Sequence, residues 1–438
     1  MLAVPWHPAL RTLMVSRRIV FATFGSLGDL HPYVAVAREL AHRGHRPLIA
    51  TFEEYRENVE AAGIGFAPMR PGMAGFGDKA AMMEKLIDPW RGPEIMVREM
   101  FLPHLRESYE DLERACGGAD LLVTHPLTFA GPLLAQKTGL AWASTALAPM
   151  TMFSAIDPPL FPAASWMLWA RKLGVAPYRW VFGIPRAMVR RWEEPLRRFR
   201  AELGLPATDS IAQFEGQFSP RLHLALFSGR LAAPQPDWPV STVVCGFPCY
   251  DGAPPGDRAR AELETFLAAG SPPIVFGLGS SAVMVAGDFW RAAISAAERL
   301  GRRAVLLTGM PSDGLGTVPA SVKVFEYLPY SAVFPRAAAI VHQGGIGTLA
   351  QALAAGRPQL IVPVAFDQPD NARRTVALGV ARSIPFGKAT AATMARELAA
   401  LLGEPGRISR ARSVGETINR EDGARAAAGA LEKAAAQE

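Results

Sequence analysis

Short runs of apolar, β-rich residues recur along the chain at 19–24, 47–51, 120–124, 140–147, 223–227, 272–276, 303–308, 322–325, 337–341 and 359–364. Runs of this length, bounded by glycine, proline or histidine, predict strands buried on both faces, as in a parallel sheet. Between them the apolar spacing becomes helical. After the first run, Tyr33, Val36, Ala37, Leu40 and Ala41 mark one buried face, and Gly44 ends the helix. Strand and helix patterns alternate in this way through most of the chain, which predicts an α/β fold of successive βα units.

Three strand-to-helix turns carry the candidate chemistry. The run 337–341 leads into His342, Gly344, Gly345 and Gly347, and helix formers follow from Thr348 to Ala355 until Gly356 and Pro358 stop them. Glycines between a strand's carboxyl end and a helix start leave backbone N–H groups pointing outward, a seat for an anion or merely a tight connection. A second strand follows at 359–364, with Asp367-Gln368 just beyond its end. The first βα turn, 25–32, places Asp29 and His31 at the mouth of a cleft, because ligands of such sheets bind at strand carboxyl ends, and Gly28 in the same turn is a candidate donor-binding residue. Asp29 or His31 also suits a helix cap, since Pro32 fits a first turn. The third turn, 277–281, ends in Ser280 and Ser281, whose hydroxyls suit a phosphate.

The stretch 337–372 resembles the donor-binding signature of family 1 glycosyltransferases, the nucleotide-sugar enzymes of GT-B fold. That resemblance implies two facing Rossmann-like domains with parallel sheets and a cleft between them. It implies that His342 and the amides of Gly344, Gly345, Ile346 and Gly347, with Thr348, hold a donor diphosphate, and that Asp367 and Gln368 bind the sugar hydroxyls. Tyr327 and Leu328 match the position where a ring stacks on the nucleobase; the other reading is a core tyrosine. On the acceptor side the resemblance puts the catalytic base at Asp29, with His31 in reserve. His125, at the end of the run 120–124, is positioned to pair with Asp29 across the cleft, or else only lines the pocket or caps a helix. A base is required because an alcohol must lose its proton as it attacks. Glucosyltransferases of the family usually carry a glutamate where this chain has Gln351. A carboxylate accepts from two ribose hydroxyls and an amide oxygen from fewer, so Gln351 leans toward a dTDP-sugar. The stretches PQPDWP and GFPCYDG narrow the resemblance to bacterial rhamnosyltransferases of the rhamnolipid type.

The 438 residues suit two to three domains. The expected division is an acceptor-binding domain at 17–230, a Pro-rich linker, a donor-binding domain at 241–420 and a last helix at 421–438 crossing back to the first. The net charge of +6 comes from 46 basic and 40 acidic residues without a Lys/Arg block. That argues against nucleic acid and for anionic ligands or an anionic membrane surface. Three cysteines favour a reduced cytosol, and no Asp-x-Asp motif suggests a metal, so the expected cofactor is none beyond the nucleotide sugar. The first sixteen residues do not read as a signal peptide.

Residues 151–200 are crowded with aromatic and methionine side chains, among them Phe153, Phe161, Trp166 and Trp169. Arg171, Lys172 and Arg179 break the stretch, which excludes a transmembrane helix. In this fold the insertion implies an apolar acceptor pocket, and its basic residues also suit contact with a membrane surface. The expected activity is an inverting, metal-independent transfer, with rhamnose from dTDP-rhamnose as the leading donor. The acceptor is an apolar hydroxyl compound such as a flavonoid, polyketide or hydroxyacyl lipid. Transfer from UDP-glucose to a sterol is the alternative. A GT-B epimerase, a non-catalytic sugar-nucleotide or lipid binder, and an NAD-dependent oxidoreductase lacking its glycine fingerprint stand behind these.

Overall fold

The computed structural model describes residues 15–252, 254–309, 311 and 315–437. Of the first sixteen residues, read as no signal peptide, residues 1–14 lie outside the described residues. Two parallel sheets carry the molecule. The first is ordered β3-β2-β1-β4-β5-β6-β7. It comprises β1 (Arg18–Ala22), β2 (Arg46–Thr51), β3 (Gly65–Pro68), β4 (Leu121–Thr124), β5 (Trp142–Ala146), β6 (Leu222–Ala225) and β7 (Thr242–Val244). The second runs β10-β9-β8-β11-β12-β13. Its strands are β8 (Ile274–Gly277), β9 (Ala304–Leu307), β10 (Val322–Phe325), β11 (Ala339–His342), β12 (Gln359–Ile361) and β13 (Ala381–Ser383).

Central strands β1, β4, β8 and β11 are apolar and almost wholly buried, as double-sided helical cover demands. The strand order reverses between β1 and β4 and again between β8 and β11. These are the points where an α/β sheet opens a crevice at its carboxyl ends.

Three strands have no counterpart among the expected runs. β3 is half exposed, and β7 and β13 are three residues each, too short for a periodic signal. β7 moves a boundary: Thr242–Val244 pairs with β6 in the first sheet, so the crossing to the second sheet comes after it and not at 241. The closing helix, Gly423–Ala436, packs on the first sheet's layer, where Glu432 bonds Arg43 at 2.8 Å and His45 at 3.0 Å.

Candidate active site

The first turn closes on itself. Ser26 precedes the helix Leu27–His42, and its Oγ accepts from the Gly28 N–H at 3.2 Å. The Asp29 carboxylate folds back, its Oδ2 accepting from the Ser26 N–H at 2.7 Å and from the Ser26 hydroxyl at 3.0 Å. This is a capping box, and it positions the carboxylate without consuming it. Gly25 makes it possible: its φ is +128°, and a Cβ there would lie 2.3 Å from Asp29 Oδ2.

The other oxygen, Oδ1, faces His125 Nε2 at 3.6 Å. His125 Nδ1 accepts from the Leu127 N–H at 3.2 Å, so in the neutral ring the proton sits on Nε2, toward Asp29. The structure therefore brings Asp29 and His125 together, with the Nε2–H directed at the carboxylate from just beyond hydrogen-bond distance. His31 points elsewhere: its ring meets Tyr250 edge-on at 5.3 Å, and burial lowers its pKa.

Across the cleft, Gly344 at φ +89° turns the chain out of β11, and the helix Ile346–Ala354 begins after Gly345 with no side chain capping it. A Cβ on Gly344 would stand 2.7 Å from Ile361 Cγ2, so the turn is pressed onto β12. The amides of Ile346, Gly347 and Thr348 form the helix's first turn, where intrahelical partners are lacking. The two helix starts approach closely: a Cβ on Gly347 would lie 3.5 Å from Gly28 Cα.

His342 does not face this seat. Its ring is fully buried, Nδ1 accepts from the Gly344 N–H at 3.0 Å, and Nε2 pairs with Gln359 Oε1 at 2.9 Å. Both nitrogens are used within the protein, and burial lowers the pKa to about 4. The expectation that the imidazole holds a diphosphate is corrected: His342 pins the turn from beneath.

The side chain that enters the cradle is Gln343, absent from the expected site. Its Nε2 would lie 2.3 Å from a Cβ on Gly279 and 2.8 Å from one on Gly345, so it fills the gap between the β8 and β11 turns. It reaches Thr348 Oγ1 at 3.4 Å, while its buried Oε1 has no partner among the described residues. Turned about its terminal bond, the same amide accepts from Thr348 and offers its NH2 to the cradle. The alternation of a strand was the available signal, since 342 and 343 must face opposite ways.

Asp367 and Gln368 stand at the start of the helix Gln368–Ala377. Asp367 accepts from Asn371 Nδ2 at 2.7 Å, and burial, with the Asp29 charge adding to it, pushes its pKa up to about 7. Gln368 is more committed than expected, because its Oε1 accepts from the Val364 and Ala365 amides at 2.8 and 3.2 Å. Gln351 is half-buried on the donor helix, Ser280 is exposed and Ser281 half-buried beyond β8. Tyr327 is half exposed and its hydroxyl donates to the Asp251 carbonyl, whereas the Leu328 side chain lies in the core, leaving only backbone for a base.

The acceptor expectation divides. Phe153 and Phe161 stack at 6.3 Å and pack with Phe182 and Phe214 in a small aromatic core. Trp166 and Trp169 are instead exposed, which removes them from any enclosed wall. A cavity of about 150 Å³ opens beside His125, lined by Thr128, Phe129, Leu196, Arg200 and Gln217 among others. Among the described residues, no three His, Cys, Asp or Glu side chains group as a metal site, and no helix is long and apolar enough to cross a membrane.

Comparison with known proteins bears on this arrangement. The chain is 33% identical over 421 residues to the O-mycaminosyltylonolide 6-deoxyallosyltransferase of Streptomyces fradiae, spanning 93% of this chain and 94% of that one. The chain belongs to the family 1 glycosyltransferases of GT-B fold. Two family models match parts of this glycosyltransferase: the glycosyltransferase family 28 N-terminal domain over 19–104, and the erythromycin biosynthesis protein CIII-like C-terminal domain over 302–426. It is also 28% identical over 433 residues to a sterol 3-beta-glucosyltransferase of Leptosphaeria maculans, covering 93% of this chain and 28% of that one. Among solved structures, the spinosyn forosaminyltransferase superposes with a TM-score of 0.70 at 18% identity, covering 96% and 100% of the two chains. The glycosyltransferase VinC, solved in complex with dTDP, gives 0.66 at 20%, covering 95% and 99%. The glycosyltransferase is therefore a nucleotide-sugar enzyme of natural-product type.

Proposed function

We propose that the enzyme moves a 6-deoxyhexose, with rhamnose from dTDP-rhamnose as the leading donor, onto a hydroxyl of an apolar acceptor with inversion at the anomeric carbon. The observation that carries this reading is the facing of two helix starts, one holding a carboxylate and the other uncapped. A sugar held beside their point of contact has a base at the first helix start and a seat for its leaving diphosphate at the second. Asp29 accepts the acceptor's proton as the new C–O bond forms, the Ser26 cap holding the carboxylate in place beside His125 Nε2. The anomeric C–O bond to the diphosphate breaks, and that charge settles on the Ile346, Gly347 and Thr348 amides, the Gln343 amide and the helix dipole. We assign this charge stabilisation to the protein and give no role to a metal.

The 6-deoxy preference draws on the name of the Streptomyces fradiae relative, a 6-deoxyallosyltransferase. The dTDP preference draws on Gln351, whose amide oxygen has less to offer two ribose hydroxyls than a carboxylate has. UDP-glucose transfer to a sterol is the second reading, favoured by the sterol glucosyltransferase relatives at 27–28% identity. Calorimetry with dTDP-rhamnose, dTDP-glucose, UDP-rhamnose and UDP-glucose, without added metal, tests the donor. Tighter binding of dTDP-sugars supports the proposal, and preference for UDP-glucose transfers it to the sterol reading.

A further inference from the structure

The insertion after β5 carries a helix with two apolar faces. On Val175–Trp192, Tyr178, Phe182 and Val189 point inward and are buried against Phe153, Phe161 and Phe214. Trp180, Ile184 and Met188, spaced four apart on the opposite side, are 79%, 52% and 46% exposed. A helix that is apolar on both faces is ordinarily covered on both. The short helix before it, Met167–Lys172, and its two flanking residues add Trp166, Trp169 and Leu173, at 52%, 70% and 80% exposure, so one continuous stretch of chain holds six of the exposed large apolar residues. Such a concentration on a surface marks an interaction site.

Charge identifies the occupant. Residues 166–192 contain six basic residues, Arg171, Lys172, Arg179, Arg186, Arg190 and Arg191, and no acidic one. Arg186 pairs with Glu215, and Arg190 with Asp209 at 2.6 Å. The other four make no ion pair among the described residues, and the Lys172 amine lies 4.4 Å over the Trp169 ring. Exposed tryptophans with unpaired cations beside them match a bilayer interface, where indole rings sit at headgroup depth and cations meet anionic lipid. A second copy of the chain would bring the same positive charge against itself.

We propose that this face docks the enzyme on an anionic lipid bilayer as a peripheral, non-spanning contact. Docking would hold the aromatic insertion against the phase in which apolar hydroxyl compounds accumulate. The assignment is independent of the donor and of the catalytic residues, so it is read by binding alone.

The test is co-flotation of the full chain with vesicles of phosphatidylcholine and of phosphatidylcholine mixed with phosphatidylglycerol, at low and raised salt. Binding is expected to the mixed vesicles, weakened by salt, and reduced about tenfold by Leu173→Ser with Trp180→Ser and by Arg179→Glu with Arg191→Glu. These side chains are exposed, so unchanged thermal unfolding of both variants is expected. Failure to bind the mixed vesicles overturns the proposal, as does equal binding by the variants. A dimer in sedimentation that Trp180→Ser dissociates overturns it in favour of a second copy of the chain.

Discussion

The strands β1 and β11 each end in a glycine turn that starts a helix, and the two starts face each other, yet they satisfy their amides in opposite ways. At the first, Ser26 and Asp29 cap the helix with their own side chains, and a fixed negative charge results. At the second, no side chain caps the helix and the approach is cleared of bulk by glycine. One start supplies its own anion and the other requires one. The difference separates a base from a leaving-group seat although both turns are built from glycine, and it sets which residues fail hardest.

Asp29→Asn should have the largest effect. An asparagine oxygen can still accept from the Ser26 amide, so the cap and the fold are expected to persist while the proton acceptor is lost. The expected fall in kcat is about 10²- to 10⁴-fold with donor affinity nearly unchanged. Turnover within a few-fold of wild type would mean that the first start is only a cap. On the opposite side, Gln343→Leu keeps the volume but removes the amide from the cradle. A loss of about 10²-fold in kcat is expected, together with weaker binding of the nucleoside diphosphate by calorimetry. If binding and turnover were both preserved, the seat would consist of backbone alone.

His342 sharpens the contrast by what it does not do. Truncation to Ala strips the Gly344 amide and Gln359 of their partner and opens a cavity, and about 2–4 kcal/mol of stability should be lost in urea unfolding. Its ring also ties stability to pH. With a folded pKa of about 4 against an ordinary 6.5, the unfolded chain binds a proton in that window that the folded chain does not. Stability therefore falls as pH drops from about 6.5 toward 4. His223, lowered to about 3 by burial, acts in the same direction, so His342→Ala should flatten the decline without abolishing it. A pH dependence identical to wild type would place the proton elsewhere.

How far the sequence disclosed this site follows from what each feature needs. Strands β1, β4, β8 and β11 were legible because burial on both faces writes an apolar run. β3, β7 and β13 were not, being short or half exposed at or near sheet edges. The glycine turn was legible too, but which of His342 and Gln343 enters it depends on the face presented at the end of β11, where alternation sets the two opposite without choosing between them. Composition and spacing do not show that face. Nor does the sequence reveal that Trp166 and Trp169 stay outside while Phe153 and Phe161 turn in, because an aromatic cluster has the same letters in a core and on a surface.

The smallest effect is expected at Gln351. It is half-buried on the donor helix, one turn beyond the amides that seat the diphosphate, and among the described residues no side-chain hydrogen bond holds it. Gln351→Glu would restore a carboxylate able to accept from both hydroxyls of a ribose. It offers nothing more to deoxyribose, which has lost one of them. The ratio of UDP to dTDP affinity should therefore rise, by up to about tenfold, which corresponds to roughly 1.4 kcal/mol. Since the diphosphate seat is untouched, dTDP affinity itself should move less than the ratio. Calorimetry of both nucleotides against wild type and variant separates the two quantities. An unchanged ratio would show that position 351 does not read the ribose, and base preference would then have to come from the half-exposed Tyr327 and the backbone at Leu328.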